Sequence, residues 1–134
     1  MRIASERVFR LQLRRILGRQ LPPGELGAMW DLMQHRAGIR RLPRLIGYID
    51  ERHRFHRRWI GALQHLDVPV LVLWGPRDPV AVPDIARLLA AEIPGARLQW
   101  LDGLGHYPQL ENPDATASAL LDFLAPGSTA TKKD

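Results

Sequence analysis

An unbroken apolar run, Val70 to Trp74, follows Pro69 and is stopped by Gly75 and Pro76. A run of that length between breakers reads as a strand covered on both faces, which belongs in a parallel sheet. A parallel neighbour requires a crossover connection, usually helical. The stretch "VPDIARLLAAEIPG" supplies it, with Ile85, Leu88, Leu89 and Ile93 expected to face the sheet. The second strand then alternates Ala96, Leu98 and Trp100 with Arg97 and Gln99, so one of its faces is expected to be wetter. A closing helix after Pro113 carries Ala117, Leu120, Leu121 and Leu124 on one face and ends at Pro126. The fold class is α/β: a βαβα unit with two parallel strands, preceded by a helical segment.

Two residues that suit acid–base chemistry fall just past the ends of those strands. Asp78 follows the first in "VPVLVLWGPRD", and His106 follows the second in "ARLQWLDGLGHYPQLENP", 28 residues later. A right-handed βαβ unit makes the strands neighbours, so both loops open at one edge of the sheet, where open α/β folds bind ligands. Imidazole takes and returns a proton near neutrality, and a carboxylate on its other nitrogen fixes the tautomer and stabilises the imidazolium. Gly105 leaves room beside His106 for a closely approaching substrate or backbone. Alone, Asp78 would read as a turn or helix cap and His106 as a loop histidine. The pair at matching strand ends, acid before base, points to catalytic origin.

The chain divides by charge. Residues 1–65 hold 14 Arg and 5 acids, net +9, and residues 66–134 hold 5 basic and 9 acidic groups, net −4. The basic part reads as three helices. Ser5 caps the first, with Phe9, Leu13, Ile16 and Leu17 on one face and Gly18 as its end. Pro22 and Pro23 open the second, with Leu26, Met29, Trp30 and Met33 together and Gly38 as its stop. The third spans about Leu42 to Leu63. Its apolar arc is wide: Leu42, Leu45, Ile46, Ile49, Ile60 and Leu63 form one stripe, and Tyr48, Phe55 and Trp59 another beside it. Arg54, Arg57 and Arg58 lie opposite. His53 and His56 have a spacing that suits a metal, but no third ligand accompanies them, so no metal site is expected. The arginines scatter around the helices without a recognition motif, which argues against nucleic acid as a partner.

With 134 residues there is room for one domain, and zero cysteines exclude disulfides and thiolate chemistry. Neither a long apolar span nor a signal-peptide pattern occurs, so a cytoplasmic location without a membrane partner is expected. The small, polar tail from residue 126 is expected to be disordered. No nucleophile is evident: Ser5, Ser118 and Ser128 read as cap, exposed helix position and tail, and none sits in G-x-S-x-G.

On these residues the chain resembles the α/β-hydrolases. The stretch from Leu66 to Leu124 is similar to the family's C-terminal end, whose last two strands carry a GxxD acid and a GH base. "ELGAMWDLM", "LIGYIDERHRFHRRWIGAL", "GPRDPV" and "HYPQLENP" look like its mesoderm-specific transcript branch, a relative of the epoxide hydrolases and haloalkane dehalogenases. The resemblance implies that Asp78 is the triad acid and His106 the triad base, that residues 1–65 form a helical cap, and that residues 66–125 form the end of the hydrolase core. It also implies a small-molecule substrate and no cofactor. In that branch the elbow has the form HDYG, with an aspartate nucleophile, and nothing of that form occurs here.

Tyr48 matches loosely the cap tyrosines with which epoxide hydrolases protonate the epoxide oxygen; ordinary packing is its plainer reading. Trp59 is a candidate chamber wall or a core residue, and Tyr107 beside His106 is the third candidate for touching substrate. The expectation is a truncated or split hydrolase of the epoxide, haloalkane or ester class, inactive alone, whose nucleophile, Asp or Ser, comes from a missing N-terminal portion or a partner chain. The alternatives are a catalytically inactive interaction module and a basic nucleic-acid-binding fragment. A strand so apolar with one neighbour also leaves a sticky edge, so self-association is expected.

Overall fold

A computed structural model of the chain describes residues 5–125; the tail expected to be disordered lies outside them. The chain forms two compact units. One is helical and comprises residues up to Arg15 together with Leu21–Ala62; the other comprises Ile16–Gln20 and the chain from Leu63 onward.

In the helical unit α1 (Glu6–Ile16) begins with Ser5, whose Oγ accepts the Val8 amide at 3.4 Å. It buries Phe9 and Leu13, and Phe9 packs against Trp30 of α2 (Pro23–Gln34) with ring centroids 5.5 Å apart. Arg10 ties the two helices, bonding Glu6 Oε1 at 2.7 Å and the Pro23 carbonyl at 3.0 Å. Gly38 does not stop α2. The turn is made by Arg36 and Ala37, both at positive φ, and Gly38 opens α3 (Gly38–Ile46). Nor is the third helix continuous: the chain breaks at Gly47 and resumes as α4 (Tyr48–Leu63). Pro43 lies inside α3, where it lacks the amide that would continue the ladder. Neither α3 nor α4 buries a residue fully within its unit.

The second unit is a βαβα arrangement. β1 (Leu71–Trp74) and β2 (Arg97–Trp100) pair in parallel, from Leu71 opposite Arg97 to Trp74 opposite Trp100. The ladder continues past both ends through Arg97 N to the Val70 carbonyl at 2.9 Å and Leu101 N to the Trp74 carbonyl at 2.8 Å. Gln99 is exposed, the wetter face expected of β2. The crossover helix α5 (Pro83–Glu92) begins with proline in its first turn. Its sheet contact differs from expectation: Ala86 is fully buried, whereas Leu88 is 57% exposed. Ile93, just past the helix, is buried. After β2 come α6 (Pro108–Glu111) and α7 (Pro113–Leu124). Asn112 caps α7 by accepting the Ala115 amide at 3.2 Å. Thr116 Oγ1 donates to the carbonyls of Pro108 and Asn112 at 3.0 and 2.9 Å, locking α6 to α7. The buried side of α7 is Thr116 and Ala119, the latter packed with Leu101 and Leu104, while Leu120, Leu121 and Leu124 are exposed. No helix among the described residues is long and apolar enough to cross a membrane.

Candidate functional site

The parallel register brings Trp74 and Trp100 to the same level, so the loops that follow leave the sheet side by side. They are joined through backbone: Arg77 N donates to the Leu104 carbonyl at 2.9 Å. Trp74 Nε1 reaches over its own loop to the Ala81 carbonyl at 2.9 Å, holding the segment that carries Asp78. Within it, Asp78 is 6% exposed, and its Oδ1 accepts the amides of Val80 and Ala81 at 2.8 and 3.0 Å. Those amides precede α5 and set the carboxylate's direction. Its other oxygen, Oδ2, meets His106 Nδ1 at 2.8 Å. With Nδ1–H donating to that carboxylate, Nε2 is left with a free lone pair, the form in which an imidazole takes a proton from water or a hydroxyl.

Asp78 and His106 line a cavity of about 270 Å³ with Trp74, Gly75, Gly105 and Gln109. Tyr107 does not line that cavity; its ring stands edge-on to the imidazole, with centroids 4.8 Å apart. Tyr48 and Trp59 belong to α4 of the helical unit, 52% and 41% exposed. His53 and His56 are exposed on the same helix, and no group of three or more potential ligands among the described residues is placed to hold a metal. Of the serines, Ser5 caps α1 and Ser118 is exposed on α7; Ser128 lies outside the described residues.

A residue without a place in the sequence reading is central to this loop. Glu111 ends α6 with only 9% exposure. Its Oε2 accepts the amides of Gly18, Arg19 and Gly105 at 2.8, 2.8 and 2.9 Å, and Oε1 accepts that of Tyr107 at 3.1 Å. The room at Gly105 is taken by backbone: a Cβ there would overlap the Ile16 carbonyl and the Gly18 amide. The only signal for Glu111 is an acid in "HYPQLENP" between a leucine and a helix-capping Asn-Pro, just past the histidine. Its partners are main-chain amides, which leave no mark in a sequence.

The model of the "Alpha/beta hydrolase family" matches residues 3–119. "Putative hydrolase LipZ" of Mycobacterium tuberculosis (strain ATCC 25618 / H37Rv) is 38% identical over 128 residues, covering 91% of this chain and 44% of the relative. The "Mesoderm-specific transcript homolog protein" of Homo sapiens is 34% identical over 121 residues, 87% of this chain and 36% of its own. "Monoacylglycerol lipase ABHD6" of Homo sapiens shares 33% over 63 residues, 47% of this chain and 19% of its own. Among solved structures, a "putative lipase" from Acinetobacter baumannii AYE superposes with a TM-score of 0.66 at 22% identity over 87% of this chain and 40% of that one, a likeness of fold. The chain thus spans less than half the length of LipZ and of the mesoderm-specific transcript protein. With two parallel strands joined by a helix, an acid and a base on neighbouring strand-end loops, and a family match across most of its length, the chain belongs to the alpha/beta hydrolase family.

Proposed function

We propose that this chain supplies the acid and base of a hydrolase, with Asp78 orienting His106 and His106 activating the water that releases a covalent intermediate. The observation that carries this reading is the 2.8 Å bond from His106 Nδ1 to a carboxylate whose other oxygen is already satisfied by two amides. That arrangement holds one tautomer and leaves Nε2 for the reacting proton. The nucleophile, Asp or Ser, and the donors that steady the developing oxyanion come from outside these 134 residues. Residues 1–65 are read as a helical cap segment, and Tyr48, Trp59 and Tyr107 are the candidates for touching substrate. Of the epoxide, haloalkane and ester classes, the last is favoured by the lipase name of a relative.

The test joins this chain to the upstream part of LipZ. Turnover of small esters is expected from the pair and not from the chain alone. If the nucleophile is Ser, His106→Ala should suppress both acylation and release. If it is Asp, the same variant should still form an ester intermediate, visible by mass spectrometry, and fail to hydrolyse it. Full multiple turnover in both His106→Ala and Asp78→Ala would refute the assignment.

A further inference from the structure

Asp78 and His106 are fixed by different means. Asp78 is aimed by two amides of its own loop, whereas the His106 loop is held from outside itself. Three consecutive amides of that loop are engaged: Gly105 N by Glu111 Oε2 at 2.9 Å, His106 N by the Ile16 carbonyl at 2.9 Å, and Tyr107 N by Glu111 Oε1 at 3.1 Å. Glu111 Oε2 also holds the Gly18 and Arg19 amides, both at 2.8 Å, so one buried carboxylate joins the base-bearing loop to the segment Ile16–Gln20. A local helix cap would explain only the Tyr107 bond, four residues back. The other three donors lie far along the chain or across the loop.

From this geometry we infer that Glu111 is a positioning residue for His106: by gathering four main-chain amides it sets where the imidazole stands, and so whether Nδ1 meets Asp78. This inference rests on the acid–base reading above. A carboxylate suits the task because it accepts at both oxygens and donates at neither. Bonds from amides to a charged acceptor are stronger than neutral ones, and an abandoned buried donor keeps its desolvation penalty. Without Glu111, four donors at the root of the loop would need water, and a displacement of about 1 Å is enough to spoil catalytic geometry.

Glu111→Gln separates positioning from mere packing. It keeps the size of the side chain and one carbonyl for Gly18, Arg19 and Gly105, but turns an amide NH2 toward the Tyr107 donor. In the full chain uniformly labelled with 15N, the wild type is expected to show a His106 Nδ1–H resonance that Asp78→Asn abolishes. Solvent exchange of that proton should quicken about tenfold in Glu111→Gln and about a hundredfold in Glu111→Ala. Faster exchange of the Gly18, Arg19, Gly105 and Tyr107 amides in Glu111→Gln with an unchanged Nδ1–H would make Glu111 a structural tie only and overturn the inference. Should Glu111→Ala not fold, Glu111→Gln decides alone. A wild type without the Nδ1–H resonance, or one that Asp78→Asn leaves intact, would instead sink the acid–base reading itself, and this inference with it.

Discussion

A methyl group on Gly75 would fall on the Gly105 carbonyl oxygen, and one on Gly105 on the Gly18 amide. The two strand-end loops and the segment Ile16–Gln20 are therefore stacked backbone on backbone, with no flexible side chain to give way. Gly75→Ala and Gly105→Ala are each expected to cost about 3 kcal/mol, the upper end of ordinary overpacking. Gly61 on α4 has open space where a methyl would stand, and Gly61→Ala should gain up to about 1 kcal/mol from helix propensity. Urea denaturation of the three variants checks both signs. Asp78 and His106 are legible in the sequence because a carboxylate and an imidazole at matching strand ends announce their chemistry by residue type. Glu111 is not, because what it binds is backbone. The close approach at Gly105 is legible as room, but whether substrate or chain fills it is not.

At the scale of elements, periodicity locates helices and leaves their phase open. Leu88 has the side chain expected to face the sheet, yet Ala86 is the fully buried residue. A small residue lets the helix axis come close to the strands, and a hydropathy pattern ranks leucine above alanine for the same place. Replacing Leu88 by Gln should change stability by no more than about 0.5 kcal/mol. Ile93→Ala, at a buried position, should cost about 3 kcal/mol. Thermal or denaturant unfolding checks both, and the Leu88 variant discriminates the observed phase from the expected one, since Ile93 is buried in either. The α7 stripe repeats the lesson, with Thr116 and Ala119 inside and three leucines outside. Asn112, its cap, should cost about 1 kcal/mol when changed to Ala. The end of α2 departs from expectation for a related reason. Glycine is the usual left-handed residue, so Gly38 is the natural stop, whereas Arg36 and Ala37 adopt positive φ here without a sequence signal.

For the whole molecule, the sheet, order and direction of the strands follow from the apolar run and its crossover. What a single sequence does not disclose is how much apolar surface stays uncovered. Each strand has one unpaired edge among the described residues. Leu45 and Ile46 on α3, and Leu121 and Leu124 on α7, are each 46% exposed or more. The chain is expected to self-associate with rising concentration through those surfaces, as measured by light scattering. A cooperatively folding monomer at high concentration would contradict the expectation. Because Ile16–Gln20 and the chain from Leu63 both belong to the α/β unit, α2, α3 and α4 form an excursion rooted there at both ends. In polymer terms it is a closed loop, and closure entropy grows only with the logarithm of length, about 0.6 kcal/mol per doubling. Evolution can thus lengthen, shorten or exchange those helices between Leu21 and Ala62 at small thermodynamic cost while the roots, and the histidine they steady, stay where they are.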